Sequence, residues 1–97
     1  MIQEIDSIMR EFKSVLRPLF GKQYKHELIN NLFFHPYTKI EFIQRDMQVS
    51  RNTASKYLEW IVEVGLLEKV KVGKTNYYFN IKLIDLFVNH KAKESSL

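Results

Sequence analysis

Residues 49–80 read VSRNTASKYLEWIVEVGLLEKVKVGKTNYYFN, and this single stretch contains the signals for a turn, a helix and a β-hairpin with no linker between them. Ser50 is a residue type that caps helix N-termini, and Gly65 is the type that most often ends helices. Between them, apolar residues recur at intervals of four and three, which places on one helix face Ala54, Leu58 and Ile61. This spacing predicts a helix from Ser50 to Gly65 with one face in a core.

A β-hairpin is predicted directly after this helix, with strands at residues 66–72 and 75–80 that are separated only by Gly73-Lys74. Glycine at the first position of a two-residue loop is typical of a type II′ turn, which fixes the strand register. The expected pairs are Val72 with Thr75, Lys71 with Asn76, Val70 with Tyr77, Lys69 with Tyr78, and Glu68 with Phe79. One face then carries Val70, Val72, Tyr77 and Phe79, and the other, expected to be wet and basic, carries Lys69, Lys71, Asn76 and Tyr78.

The N-terminal residues 1–20 are predicted to form a long helix, because apolar side chains recur three and four residues apart: Ile2, Ile5, Met9, Phe12, Leu16 and Leu19. Pro18 and Gly21 predict where this helix ends. Its apolar seam is expected either to meet a second copy or a preceding domain, or to pack on the core of its own domain. Both interpretations stay open, because the seam is shorter than three heptads.

The remaining elements are shorter. A second helix is expected at residues 24–34, then a brief third strand at 37–40 beside the hairpin and a short helix at 41–47. Gln48 follows, where a tight turn between helices often has glycine. After the hairpin, Asn80 is expected to cap a last helix, whose inner face carries Leu83, Ile84, Phe87 and Val88.

The order of these elements predicts a mostly α domain with a small β-hairpin, which is the winged helix-turn-helix fold with a long N-terminal helix and a short C-terminal helix. The N-terminal linking or packing helix takes up residues 1–20. The winged-helix domain takes up residues 21–88, with the wing at 66–80. A tail at residues 89–97 is expected to fray.

The composition limits the classes of function. A length of 97 residues with 45% hydrophobic content leaves room for one domain with one core. The absence of Cys excludes disulfides, thiolate nucleophiles and thiolate metal sites. No signal peptide or membrane span is predicted, because residues 1–8 contain Glu4 and Asp6 and no apolar run is long enough. We therefore expect a cytoplasmic protein without a membrane partner.

A formal net charge of +4 suits a polyanionic partner, because Lys and Arg release condensed counterions when they meet phosphates. On the polar face of the predicted helix, Arg can fork onto guanine and Asn onto adenine in a major groove. The cations of the hairpin can meet backbone phosphates or a minor groove. The candidate DNA-binding residues are Arg51, Asn52, Ser55, Lys56, Lys69, Lys71, Lys74 and Asn76.

Two observations favour other roles for these residues. Glu59 and Glu63 lie on the same helix face and offset the charge of Arg51 and Lys56. Lysines on a hairpin also protect an edge strand from aggregation.

A second apolar stripe on the predicted helix, rotated from the core face, consists of Tyr57, Trp60 and Val64. Trp60 requires a cover, which is either the first or last helix of this chain or a partner chain, because aromatic anchors concentrate at interfaces. With the N-terminal seam, the candidate interface residues are Ile5, Met9, Phe12, Tyr57, Trp60 and Val64.

No catalytic, metal or cofactor site is predicted. His26, His35 and His90 show neither HxxxH nor HExxH spacing. Gly21, Gly65 and Gly73 stand too far apart to form a phosphate-binding loop.

Three segments in order, LFFHPYTKI (32–40), SRNTASKYL (50–58) and GLLEKVKVGK (65–74), resemble the C-terminal winged-helix domain of bacterial Fic family proteins. The resemblance covers residues 24–87, and the first helix is similar to the segment that links this domain to the Fic domain. In that family the preceding domain transfers AMP from ATP to a hydroxyl on a protein target, using an HPFxDGNGR loop. His35-Pro36 matches its first letters, but no Asp-Gly-Asn-Gly follows. The resemblance therefore implies a non-catalytic accessory domain.

Two functions follow as hypotheses. The first is a regulatory winged helix that binds duplex DNA as part of a Fic-type protein. The alternative is a protein-interaction module that forms a homodimer or docks on the preceding Fic domain without binding nucleic acid.

Overall fold

The computed structural model describes residues 2–95, and the side chains of residues 3–89. Its helices are α1 (Ile2–Phe20), α2 (His26–Phe34), α3 (Ile40–Met47), α4 (Arg51–Glu63) and α5 (Ile81–Ser95); its strands are β1 (Tyr37–Thr38), β2 (Glu68–Val72) and β3 (Thr75–Phe79). A short 3₁₀ turn, Gly21–Gln23, joins α1 to α2. The predicted fold class is confirmed: a mostly helical domain with a small antiparallel sheet, in the arrangement of a winged helix-turn-helix.

Helix α4 begins and ends where the sequence predicts. The Ser50 hydroxyl accepts a hydrogen bond from the Thr53 backbone N–H at 3.2 Å, which satisfies one free donor of the first turn. At the other end Gly65 has φ +83° and donates to the Val62 carbonyl, while the Leu66 N–H donates to the Ile61 carbonyl. This pair of bonds is a Schellman motif, which turns the chain directly into the hairpin.

The turn between α3 and α4 is closed by Gln48 in the left-handed conformation, with φ +56° and ψ +53°. It is the one non-glycine residue of the described chain with a positive φ. A side chain with a Cβ is strained in this region, whereas glycine is not. The turn predicted at residue 48 therefore has the backbone conformation that favours glycine, although the residue there is glutamine.

The sheet has the order β1-β3-β2, and all five expected pairs of the hairpin are confirmed, from Val72 with Thr75 to Glu68 with Phe79. Gly73 has φ +63° while Lys74 has no positive φ, as a type II′ turn requires. The expected third strand is also confirmed, since Tyr37 pairs with Phe79 across β1 and β3.

One core lies between the helices and the sheet. Every helix and strand β3 contribute buried apolar side chains to it: Phe12, Leu16, Phe20, Leu28, Ile29, Leu32, Ile40, Ile43, Met47, Ala54, Tyr57, Leu58, Ile61, Leu66, Leu67, Tyr78 and Leu83. Close-packed burial of this kind is the main stabilising contribution to the fold.

The hairpin departs from the prediction at Tyr78, while Lys69 and Lys71 on the same face are exposed as expected. Tyr78, expected on the wet face, is 1% exposed and belongs to the core, whereas Val70 and Val72 on the other face are 38% and 60% exposed. The large ring of Tyr78 is covered by the helices, and its hydroxyl hydrogen-bonds to Glu59 of α4. Because side chains alternate along a strand, burying Tyr78 turns both valines outward.

Asn80 is buried between the sheet and α5, where its Oδ1 accepts from the Leu83 N–H at 3.2 Å, as predicted for a cap. Its Nδ2 donates to the Leu32 carbonyl at 3.1 Å. Leu83 faces the core, but Phe87 and Val88 are exposed, so the predicted inner face ends earlier than expected.

Helix α5 also runs to Ser95, beyond the predicted start of the tail, because residues 89–95 contain no Gly or Pro to stop it. Residues 96–97 lie outside the described residues.

Replacing Gln48 by glycine is expected to raise the free energy of unfolding by about 0.5–1 kcal/mol, because glycine relieves the positive φ. Gln44→Gly is the matched control, because the same change inside helix α3 should lower the free energy of unfolding by about 1 kcal/mol. Urea unfolding followed by circular dichroism measures both. Equal destabilisation by the two variants would show that the backbone at residue 48 is not strained.

Candidate nucleic-acid interface

The candidate residues lie on two elements, the first two turns of α4 and the hairpin. Arg51, Asn52 and Lys56 are exposed, and Ser55 is half-buried beside them. All four lie at the start of a helix whose opposite side is buried in the core, so the helix presents its N-terminal half outward.

Arg51, Lys74 and Asn76 meet around a polar hollow of about 220 Å³ between the start of α4 and the tip of the wing. Glu41 of α3 also lines this hollow, and the Arg51 Nη1 donates to its Oε1 at 3.1 Å. Both side chains are more than half exposed, and such a pair contributes at most about 1 kcal/mol. The hollow therefore gathers cations from two elements beside one carboxylate that binds Arg51 weakly.

The wing is held to α4 by Glu59. One oxygen, Oε1, accepts from the Lys69 Nζ at 2.8 Å and from the Tyr78 hydroxyl at 3.3 Å. The hydrogen bond to Glu59 raises the pKa of Lys69, and burial raises the pKa of Tyr78. Lys69 thus positions the wing, and its ammonium is already engaged by a carboxylate.

The other candidate cations differ in their surroundings. The Lys56 Nζ lies 5.1 Å from the centre of the Trp60 ring, which holds the side chain along α4. Lys71 and Lys74 are exposed and have no carboxylate partner in the described part of the chain. Near the wing tip, then, two lysines are available to an external anion.

The candidate interface residues separate into two groups. Phe12 and Tyr57 lie in the core of this chain, so neither side chain is available to a partner. Phe20, at the end of α1, covers Trp60 edge-to-face at a ring distance of 5.4 Å. Of the two covers expected for Trp60, helix α1 of this chain is therefore the one that the structure shows. Ile5 and Met9 are half-buried and Val64 is exposed, and these three retain apolar surface.

No metal-binding arrangement is found within residues 3–89, where no three His, Asp or Glu side chains converge. The side chain of His90 lies outside the described residues. None of the helices described in residues 2–95 has the length and apolarity to cross a bilayer.

Sequence reasoning missed Glu41, which meets Arg51 across the helix-turn-helix. The two residues stand ten positions apart on different helices, so no helical periodicity could pair them.

A family model agrees with this architecture. Residues 8–83 match the model described as "Protein adenylyltransferase SoFic-like, C-terminal domain". The match covers most of the chain, including all three strands and the whole helix-turn-helix.

The bonds to Glu59 predict a loss of stability at alkaline pH. Folding raises the pKa of Lys69 above its ordinary value of 10.5 and the pKa of Tyr78 above its ordinary value of 10.0. Both groups therefore contribute fully to the free energy of unfolding below those ordinary values. That contribution is lost as the pH rises through the raised pKa values of the folded state. Urea unfolding between about pH 9 and pH 11 should show this decrease, and Tyr78→Phe and Glu59→Gln should each flatten it.

Glu63→Gln, on the same helix one turn further on, should leave the alkaline profile unchanged. At neutral pH, Tyr78→Phe should cost about 1 kcal/mol or less, the size of one hydrogen bond. If the free energy of unfolding falls equally with pH in the unmodified chain and in all three variants, the wing is not coupled to α4 through Glu59.

Proposed function

The chain belongs to the family of C-terminal domains of SoFic-like protein adenylyltransferases, and from this premise we propose that it binds duplex DNA as the non-catalytic, regulatory part of such an enzyme in the bacterial cytoplasm. Helix α4 is the element proposed to enter the major groove, and the wing contacts the neighbouring backbone. The observation that carries the proposal is the surface on which Arg51, Lys74 and Asn76 converge around one polar hollow.

Each candidate residue has a separate role in this proposal. Arg51 and Asn52 reach base edges, because they lead the exposed N-terminal half of α4, with Ser55 and Lys56 one turn behind. Lys71 and Lys74 meet phosphates, and Asn76 adds a neutral hydrogen bond beside them. Lys69 holds the wing against α4 through Glu59 and does not count among the phosphate contacts.

A second function is favoured by the apolar surface left on Ile5, Met9 and Val64: docking on the preceding catalytic domain or on a second copy. Sedimentation equilibrium of the intact chain and of an Ile5→Glu, Met9→Glu double variant tests docking on a second copy. A dimer that the double variant abolishes would support it. A monomer in both cases would contradict it. Helix α1 is kept in this design, because it supplies Phe12, Leu16 and Phe20 to the core.

Binding to a fluorescein-labelled duplex is expected to depend on salt. If the domain neutralises about four phosphates, Lys71 and Lys74 contacting two of them, the logarithm of the affinity should fall against log salt with a slope near −3.6. Lys71→Glu with Lys74→Glu should reduce the slope by about 1.8 and weaken binding at every salt concentration. Fluorescence anisotropy measures both.

The matched control reverses two exposed cations elsewhere, Arg10→Glu with Lys22→Glu, and produces the same change in net charge. This control variant should show the same slope of log affinity against log salt as the unmodified chain. Equal losses in the two double variants, or no binding at about 50 mM salt, would overturn the proposal.

Removing the carboxylate beside Arg51 should strengthen DNA binding. Glu41→Gln frees the guanidinium from its 3.1 Å ion pair, and affinity is expected to rise roughly threefold with a steeper salt slope. Glu27→Gln changes the net charge equally on exposed α2 surface and should have a smaller effect. If the two variants behave alike, Arg51 does not contact DNA.

A further inference from the structure

A carboxylate lies on the surface that is proposed to bind DNA. Glu41, in the first turn of α3, lines the polar hollow together with Arg51, Lys74 and Asn76. Its side chain is 54% exposed, so a ligand in the hollow can reach it. A DNA phosphate would be repelled at this point, because both groups carry negative charge. The carboxylate therefore weakens DNA binding unless the DNA supplies a hydrogen-bond donor to it.

A single hydrogen bond joins this carboxylate to Arg51. The Arg51 Nη1 donates to the Glu41 Oε1 at 3.1 Å, and within the described part of the chain neither side chain makes another hydrogen bond. The remaining N–H groups of the guanidinium stay available, and so does the Glu41 Oε2. The pair thus places donors and an acceptor next to one another, as a row of donor, donor and acceptor on the exposed side of the hollow.

This row matches the edge of one base pair in the major groove. Across that groove, from guanine to cytosine, a G·C pair offers the acceptors N7 and O6 and then the N4 amino donor. Two guanidinium N–H groups of Arg51 can face the two guanine acceptors while a Glu41 oxygen accepts from the cytosine amino group. Each of the three groups of the base pair then has an opposite group on the protein.

The other base pairs match less of the row. An A·T pair offers an acceptor, a donor and an acceptor, so at most two groups of the row find partners in either orientation. In a C·G pair the order is reversed, and the two guanidinium donors reach guanine only when the carboxylate lies beyond the amino group. Each alternative therefore leaves at least one charged group of the pair without a partner, which is costly at an interface that excludes water.

We propose that Glu41 and Arg51 together read one G·C pair in the major groove, Arg51 donating to guanine and Glu41 accepting from the cytosine of the same pair. This inference rests on the proposed function, because it assigns the base pair that the proposed DNA-binding surface selects. Glu41 lowers the affinity for other sequences, as the predicted effect of Glu41→Gln requires, and gains a hydrogen bond at one base pair. Its role is selectivity.

The test is a selection from duplex DNA with the full chain. The probe is a fluorescein-labelled library with a random central segment of roughly ten base pairs, about one helical turn. Sequencing of the bound duplexes gives the base preference at each position. Fluorescence anisotropy then compares two duplexes that differ only at the position of the preferred G·C pair. The unmodified chain should bind the G·C duplex about tenfold more tightly than the A·T duplex.

Two variants should lose this preference without losing the others. Glu41→Ala removes the acceptor, and Arg51→Lys keeps the charge but removes the fork that meets guanine. In each, the ratio of the two dissociation constants should fall below about threefold. Glu41→Ala should also bind the A·T duplex more tightly than the unmodified chain does, because the carboxylate no longer opposes it. Circular dichroism checks the folding of each variant.

Glu27→Ala is the matched control. Glu27 is also an exposed acidic residue in the first turn of a helix, α2, so its removal changes the net charge and the helix terminus in the same way. This variant should keep the tenfold preference. Equal loss of preference in Glu27→Ala and Glu41→Ala would overturn the inference in favour of a general effect of charge.

The remaining outcomes separate this inference from the proposed function. If the unmodified chain binds no duplex, the proposed function is overturned, and the inference with it. If duplex is bound without preference for any base pair, or if Glu41→Ala and Arg51→Lys retain the full G·C preference, the inference alone is overturned and duplex binding stands.

Discussion

The carboxylate of Glu59 joins the wing to helix α4. One of its oxygens accepts hydrogen bonds from Lys69 of β2 and Tyr78 of β3, and the Tyr78 ring lies in the core. Strand alternation then turns Val70, Val72, Tyr77 and Phe79 to the opposite side. The aromatic side chains Tyr77 and Phe79 therefore lie on the face of the sheet opposite Lys69 and Lys71.

The surface around α4 and the wing tip differs in charge from the surface around the end of α2. Around α4 and the wing tip, exposed cations outnumber the carboxylates that bind them, and polar side chains lie beside the cations. Around the end of α2, aromatic rings predominate, and the one ion pair, Arg45 with Asp46, largely balances the charge.

Local signals explain what the sequence could predict. The cap at Ser50, the stop at Gly65 and the Gly73-Lys74 turn each act within a few residues, and each is found where it was expected. Contacts between elements could not be predicted in the same way. Alternation predicts that Tyr78 shares a wet face with Lys69 and Lys71, but the Tyr78 ring is buried and its hydroxyl reaches Glu59 of α4, while both lysines stay exposed. The Glu41–Arg51 pair likewise joins residues from separate elements.

The central claim, that α4 and the wing form a single DNA-binding surface, is tested most directly by mapping the amide signals of the ¹⁵N-labelled chain as duplex DNA is added. The signals of residues 51–56 and 71–76 should shift together, at one common midpoint, while those of helix α2 stay in place. Shifts confined to α2, or an absence of shifts at low salt, would contradict it.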